Sequence, residues 1–179
     1  MSKLILNFSS HREGNCYHLA RLVEEILGGE AKIVDFSDLD VHPCGKCSYD
    51  CFRGNRCPLE EDGIPGLYEA IDGAEEVIFI VPNYCGYPCG NFFAFNERGC
   101  SWFAGRKDRM ARFAEVPKRF VVVSNSESHH FSEAFSYLVK DRNPEICYLA
   151  TRKFAMNSFG GNLAQAPGVR EILEVFLKK

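Results

Sequence analysis

The chain has 179 residues, 46% of them hydrophobic and 25% charged, enough for one domain with one sizeable core. Its 15 glycines and 8 prolines are too few for a collagen-like or low-complexity chain, and a net charge of −3 gives no electrostatic footprint for nucleic acid. The longest purely apolar run, residues 77–81, is far short of a membrane span, and the first residues lack the apolar stretch of a signal peptide, so a cytoplasmic protein is expected.

Strand and helix signals alternate along the whole chain. Residues 3–8 (KLILNF) are a short apolar run closed by Ser9 and Ser10 and predict a buried strand. Over 15–27 the positions Cys16, Leu19, Ala20, Val23, Ile26 and Leu27 share one helical face, which Gly28-Gly29 ends. Residues 31–36 (AKIVDF) predict a second strand, 64–71 a short helix, and 76–81 (EVIFIV) a third strand ended by Pro82. A fourth strand follows at 119–124 (RFVVVS), a helix at 131–140, a fifth strand at 146–151 (ICYLAT), and a closing helix at 169–177 after Pro167. Strands that are apolar throughout, separated by amphipathic helices, define an α/β parallel sheet covered on both faces, in a three-layer doubly wound arrangement. No repeat, linker or low-complexity tract divides it, which predicts one domain over 1–179 with a Cys-rich loop insertion at about 43–60.

In such a sheet ligands bind beyond the C-terminal ends of the strands. The first of these loops reads Ser9-Ser10-His11-Arg12-Glu13-Gly14-Asn15-Cys16 and runs into a helix. Free N–H groups and the helix dipole favour a phosphate there; Ser9, Ser10 and Asn15 can add donors and Arg12 a charge at the rim. The plainer alternative is simple helix capping. The glycine pattern of dinucleotide-binding loops, the Gly-Lys-Ser/Thr loop of nucleotide hydrolases, the Cys and Arg of a small tyrosine phosphatase and the acidic residues of a response regulator are all missing from the positions that need them. After the third strand, Pro82-Asn83-Tyr84-Cys85-Gly86-Tyr87-Pro88 makes a stiff aromatic loop on which a flat heterocycle could stack. After the fourth, Ser124-Asn125-Ser126-Glu127-Ser128-His129-His130 is small and polar.

These segments together resemble the flavodoxin-like NAD(P)H-dependent FMN reductases, particularly the branch that includes the iron-sulfur flavoproteins. The matching stretches are SSHREGNC after strand one, PCGKCSYDCFRGNRCPLEEDG after strand two, and VPNYCGYP followed by FNERG after strand three. The resemblance implies a five-stranded parallel sheet of order 2-1-3-4-5. It implies FMN with its phosphate on Ser9, Ser10, Arg12, Gly14, Asn15 and Cys16. The ring would lie between Pro82, Asn83, Tyr84, Cys85 and Gly86 on one side and Ser124, Asn125, Ser126 and His129 on the other. NAD(P)H would be the hydride donor, and a small-molecule acceptor such as a quinone or flavin would take the electrons. The flavin N5 would carry the chemistry without a catalytic side chain. Where relatives have Ser or Thr, Asp-Arg and Gly, this chain has Cys16, Glu97-Arg98 and Ser9.

Four of the nine cysteines, Cys44, Cys47, Cys51 and Cys57, lie within fourteen residues as C-x2-C-x3-C-x5-C. The compact run suits a [4Fe–4S] cluster better than the paired knuckles of structural zinc, and unmetallated thiols remain the third reading. Cys85 and Cys89 could be redox thiols or packing residues; Cys100 and Cys147 read as core. Phe92, Phe93, Phe95, Trp102 and Phe103 read as helix packing or as the surface of a homodimer or larger oligomer. Three functions therefore stand beside one another: an FMN-dependent oxidoreductase, a non-catalytic flavodoxin-like electron carrier, and a metal-binding or redox-sensing domain.

Overall fold

The computed structural model describes residues 3–45, 47–54, 56–126, 130–159 and 161–178. Five parallel strands, β1 (Leu4–Asn7), β2 (Lys32–Asp35), β3 (Val77–Tyr84), β5 (Lys118–Ser124) and β6 (Glu145–Ala150), lie in the order β2-β1-β3-β5-β6. A two-residue strand β4 (Tyr87–Pro88) pairs antiparallel with the end of β3. Leaving that hairpin aside, the five parallel strands follow the 2-1-3-4-5 order that the resemblance implies. Six α-helices accompany the sheet: α1 (Asn15–Ile26), α2 (Ile64–Asp72), α3 (Gly90–Phe103), α4 (Lys107–Glu115), α5 (Phe131–Ser136) and α6 (Val169–Leu177). No helix among the described residues is long and apolar enough to cross a membrane.

Side chains alternate across each strand and so supply two cores. Leu4, Leu6 and Phe8, with Phe79, Val81, Phe120 and Val122, face α2, α3 and α5. Ile5, Ile78, Ile80, Val121 and Val123 face α1 and α6 through Leu19, Val23, Leu173 and Phe176. The first face is aromatic: Phe8 lies 5.7 Å from Phe79 in a stacked pair and Phe120 lies 4.1 Å from Phe135 in another. The run from Phe92 to Phe103 is mostly helix packing, since Phe92, Phe95 and Trp102 are buried on α3 and only Phe93 is well exposed. Gly99 permits this packing, because a Cβ there would stand 2.6 Å from the Tyr68 hydroxyl.

Three elements depart from the sequence expectation. Strand β3 does not end at Pro82 but runs to Tyr84. Phe8 N–H donates to Ile80 O at 3.0 Å, where β1 gives out, so the missing N–H of Pro82 on that side leaves no partner waiting. Beyond it, Cys85 and Gly86 both take positive φ (56° and 89°) and turn the chain into β4, a hairpin geometry that favours Gly at the second position. Helix α5 stops at Ser136 rather than Lys140; the Ser136 hydroxyl donates back to Glu133 O at 2.7 Å and Leu138 N–H closes a tighter turn on Phe135 O. Strand β6 ends at Ala150, and Thr151 opens a 3₁₀ turn.

At the N-terminal edge of the sheet Lys118 is buried, with its ammonium on Val116 O at 2.8 Å and on Phe113 O, and over the Phe113 ring. Burial pushes its pKa down to about 8, against a smaller opposing pull from Asp72. A folded-state pKa below the unfolded one means that the unfolded chain binds more protons between the two values. The buried charge therefore weakens the fold below about pH 8, and this penalty disappears as the pH rises toward about 10.5. The difference in unfolding free energy between wild type and Lys118→Met should accordingly shift in favour of wild type across that window, as read from urea midpoints at several pH values.

Candidate functional site

A cleft of about 300 Å³ opens at the C-terminal edge of the sheet, between the first loop, the end of β3 and the end of β5. It brings together Ser9, Arg12, Gly14, Asn15 and Cys16 from the first loop with Pro82, Asn83 and Tyr84, and with Ser124 and Asn125. Ser10, Cys85, Gly86 and Ser126 are not in its wall; Ser10 is exposed, Cys85 and Gly86 make the hairpin turn, and Ser126 folds back on Ser124. His129 lies outside the described residues. The neighbouring His130 is anchored on the hairpin, with its N–H on Gly86 O at 2.9 Å and its ring stacked on Tyr87.

The first loop is held from beneath. Asn7 Nδ2 donates to Asp35 Oδ1 at 2.7 Å, Ser9 N–H donates to Asn7 Oδ1, and His11 N–H donates to Ser9 Oγ. Glu13 at φ 58° then turns the chain into Gly14, which caps α1 without a side-chain bond and with no acidic residue in the first turn. A Cβ on Gly14 would stand 3.3 Å from His11 Cβ, so the turn is already tight. The opening N–H groups of α1 thus lie at the cleft, and the first turn of the helix carries no acidic residue, a donor set that suits an anion. Arg12 stands at the rim, paired with Asp38 at 2.9 Å. Cys16 and Cys89 beneath the cleft are buried thiols whose pKa values burial raises, and Cys89 Sγ donates to Phe8 O.

Asn15 differs from the expected phosphate donor. Its Nδ2 donates to Ser158 O at 3.2 Å and its Oδ1 accepts from Leu163 N–H at 2.8 Å. It ties the segment after β6 to the start of α1, and this brings Ser158 and Phe159 into the cleft wall, with Phe159 95% exposed. His11 and Glu13 also line the cleft. In the sequence only the Phe-Gly-Gly-Asn stretch at 159–162 marks this region, and nothing local connects it to Asn15. On the other side, Asn83 Nδ2 donates to Ser124 Oγ at 3.0 Å while its Oδ1 accepts from Gly86 N–H at 2.7 Å, so one amide fixes both the hairpin turn and its distance from β5.

The four clustered cysteines do converge. Cys44, Cys47, Cys51 and Cys57 line one mainly apolar cavity of about 170 Å³ together with Arg98. Among the described residues no three His, Cys, Asp or Glu side chains lie close enough to share a single metal ion. The loop is fastened to α3 by Arg98, which is fully buried. Its Nη1 donates to His42 O at 2.7 Å and to Asp62 Oδ2, and its Nη2 donates to Leu59 O at 2.8 Å and to Asp62 Oδ1 at 3.2 Å. Its Nε is buried with no partner among the described residues. Partial desolvation, then Glu97, pushes the Cys44 thiol up to about 11. Cys100, expected in the core, is exposed on α3 and interacts electrostatically with Cys51 and Cys44; its place on the helix face opposite Phe92 and Phe95 could have been read from the helical period.

With this geometry in hand the comparisons are specific. The family model of the NADPH-dependent FMN reductases matches residues 1–134. The chain belongs to that family and is an oxidoreductase of the flavodoxin-like type. No curated protein matches it by sequence. Among solved structures it is similar to RosB with a bound 8-demethyl-8-formylriboflavin-5'-phosphate (14% identity, TM-score 0.72, covering 100% of this chain and 77% of that one). It is also similar to the NAD(P)H:acceptor oxidoreductase FerB from Paracoccus denitrificans (11%, 0.60, 99% and 93%) and to an FMN-dependent NADH-azoreductase from Bacillus anthracis (12%, 0.61, 99% and 99%). At these identities the structural likeness establishes the fold.

Asp62 is the counter-ion that makes a fully buried Arg98 tolerable. Asp62→Ala leaves that guanidinium uncompensated and should cost about 3–5 kcal/mol. Differential scanning calorimetry measures the loss, and limited proteolysis should show new cleavage within residues 43–60, where the loop loses its anchor.

Proposed function

We propose that FMN occupies the cleft above β1, β3 and β5, that NADPH or NADH is its reductant, and that a small-molecule acceptor takes the electrons; Cys44, Cys47, Cys51 and Cys57 would hold a [4Fe–4S] cluster, which would supply one-electron transfer between flavin and acceptor. The observation that carries the flavin part is the N-terminus of α1, with no acidic residue in its first turn, opening into the cleft in a chain of the FMN reductase family. When bound, FMN supplies hydride acceptance and electron release, and the protein supplies binding, orientation and electrostatics.

Each residue then has a task that follows from its position. The N–H groups of Gly14, Asn15 and Cys16 and the Ser9 hydroxyl hold the phosphate; Arg12 adds charge at the rim. Pro82, Asn83 and Tyr84 offer the ring one wall and Ser124 and Asn125 the opposite one. Phe159 covers the open side and keeps water from the ring. The exposed Tyr84, Tyr87 and Phe93 lie near this opening, and a second copy of the chain would cover them.

For the thiol loop, the supporting observation is that Arg98, whose buried Nε has no partner among the described residues, lines the four-cysteine cavity. A buried donor without a partner calls for an acceptor. Four thiolates around an iron-sulfur core carry net negative charge and sulfur acceptors, which suit that N–H and the guanidinium behind it. From Asn91, whose Nδ2 donates to the O of Phe8, the residue before the cleft's Ser9, α3 rises about 10 Å to Arg98. That spacing suits electron transfer between cleft and thiol cavity.

The visible spectrum of anaerobically purified protein tests both parts at once: a flavin envelope that NADPH bleaches, over a broad iron-sulfur shoulder. Asn15→Asp keeps the acceptor for Leu163 N–H while placing a negative charge at the phosphate end, and should weaken FMN at least about tenfold by fluorescence titration. Cys47→Ala should remove the iron and leave most of the FMN. A protein that takes up no FMN would overturn the flavin reading, and near-zero iron after anaerobic reconstitution would reject the cluster.

A further inference from the structure

A further concavity among the described residues is neither the cleft nor the thiol cavity. It holds about 340 Å³ on the far side of the cysteine loop, and Cys51 and Cys57 line both it and the thiol cavity. Its other defining residues are Arg56, Trp102, Arg106 and Arg109. Arg56 is neutralised by Glu60 and by Glu61, the latter at 3.0 Å. Arg106 and Arg109 make no ion pair among the described residues, and Asp108, in the same turn, is paired with Arg112 instead. The Arg109 guanidinium lies over the Trp102 ring at 3.7 Å, with the half-buried Asp72 as its distant counter-charge.

Two unpaired guanidiniums at the mouth of a pocket call for anionic groups, and a guanidinium already stacked on an indole presents its outer face to a second planar group. The apolar wall of Ile64 and Pro65 favours a ring over a bare inorganic ion. The volume suits two or three fused rings. We infer that this pocket is the docking site of an anionic aromatic electron acceptor of the quinone class, held by Arg106 and Arg109 against the wall formed by Cys51 and Cys57. The acceptor role rests on the electron route proposed above; binding of the anion does not. In turnover, the hydride of NADPH and one solvent proton convert the quinone to its hydroquinone and leave NADP⁺, so electrons and atoms balance without another reagent. Donor and acceptor would then occupy separate pockets at once.

Trp102 is the only tryptophan in the chain, so its emission reports on this pocket alone. Titrating the FMN-loaded protein with anthraquinone-2,6-disulfonate should quench it saturably, with the same constant by calorimetry. Arg106→Gln, at an exposed position, should raise that constant about tenfold, and the Arg106→Gln/Arg109→Gln pair about 100-fold. The KM for the disulfonate should rise in step while the KM for NADPH stays put. Absence of saturable quenching, or quenching indifferent to both variants, overturns the site. Binding that weakens in the variants while the KM does not move overturns the acceptor role. Iron analysis of the same samples reads the cluster separately.

Discussion

A buried guanidinium organises this molecule around the cysteine loop. Arg98 is fully buried, and its hydrogen bonds reach His42 and Leu59, which bracket the cysteines, and Asp62 just beyond them. One side chain on a rigid helix therefore closes the loop at both ends. Without it the segment between β2 and α2 would have few apolar groups to hold it; Tyr49 and Phe52 within it are exposed. Burying a charge is unfavourable unless it is paired and hydrogen-bonded, and Asp62 with two carbonyls meets that condition for Nη1 and Nη2. The arrangement leaves Nε alone without a partner among the described residues, in a side chain that lines the cavity of the four thiols.

The cleft is built on the opposite principle. Its anion-facing groups are backbone N–H groups, and the side chains around them mostly bond to each other. Asn7 holds Ser9, Ser9 holds His11, Asn83 holds Gly86 and Ser124, and Asn15 holds Ser158 and Leu163. Polar side chains here set the shape that the backbone presents. This explains how the fold is shared with structures of 11–14% identity: a helix N-terminus and two strand ends can be positioned by many different side-chain networks.

That division also decides what could be read from the sequence. The parallel sheet was legible because its strands are apolar on both faces, and the first loop because a strand, a polar turn with Gly14 and an amphipathic helix follow one another over residues 3–27. The task of Asn15 was not, since an amide suits a phosphate as well as it suits a backbone group 148 residues away, and only the tertiary structure chooses. The hairpin after Pro82 was hidden by reading proline as a strand end, although at a position where the neighbouring strand has stopped its missing N–H carries no penalty. The C-x2-C-x3-C-x5-C run was visible as a group; that Arg98 fastens it could not be inferred from a residue 41 positions beyond Cys57. Cys100 was misread because hydrophobic residue type was taken for burial, when the face of α3 decides it.

Helix α3 sets the relation among the three concavities. Asn91 in its first turn bonds to the O of Phe8, the residue before the cleft's Ser9, Arg98 lies in the wall of the thiol cavity, and Trp102 lies in the wall of the arginine-lined pocket. The steps of seven and four residues along one rod amount to about 10 Å and about 6 Å. Phe92, Phe95 and Trp102 fix the rod against the sheet and α2, and Gly99 brings it into close contact with Tyr68. A helix so packed does not rotate or slide without opening the aromatic core, so the spacing between the pockets is as rigid as the core itself. The cysteine loop adds chemistry to that frame, whereas the distances come from the packing of α3.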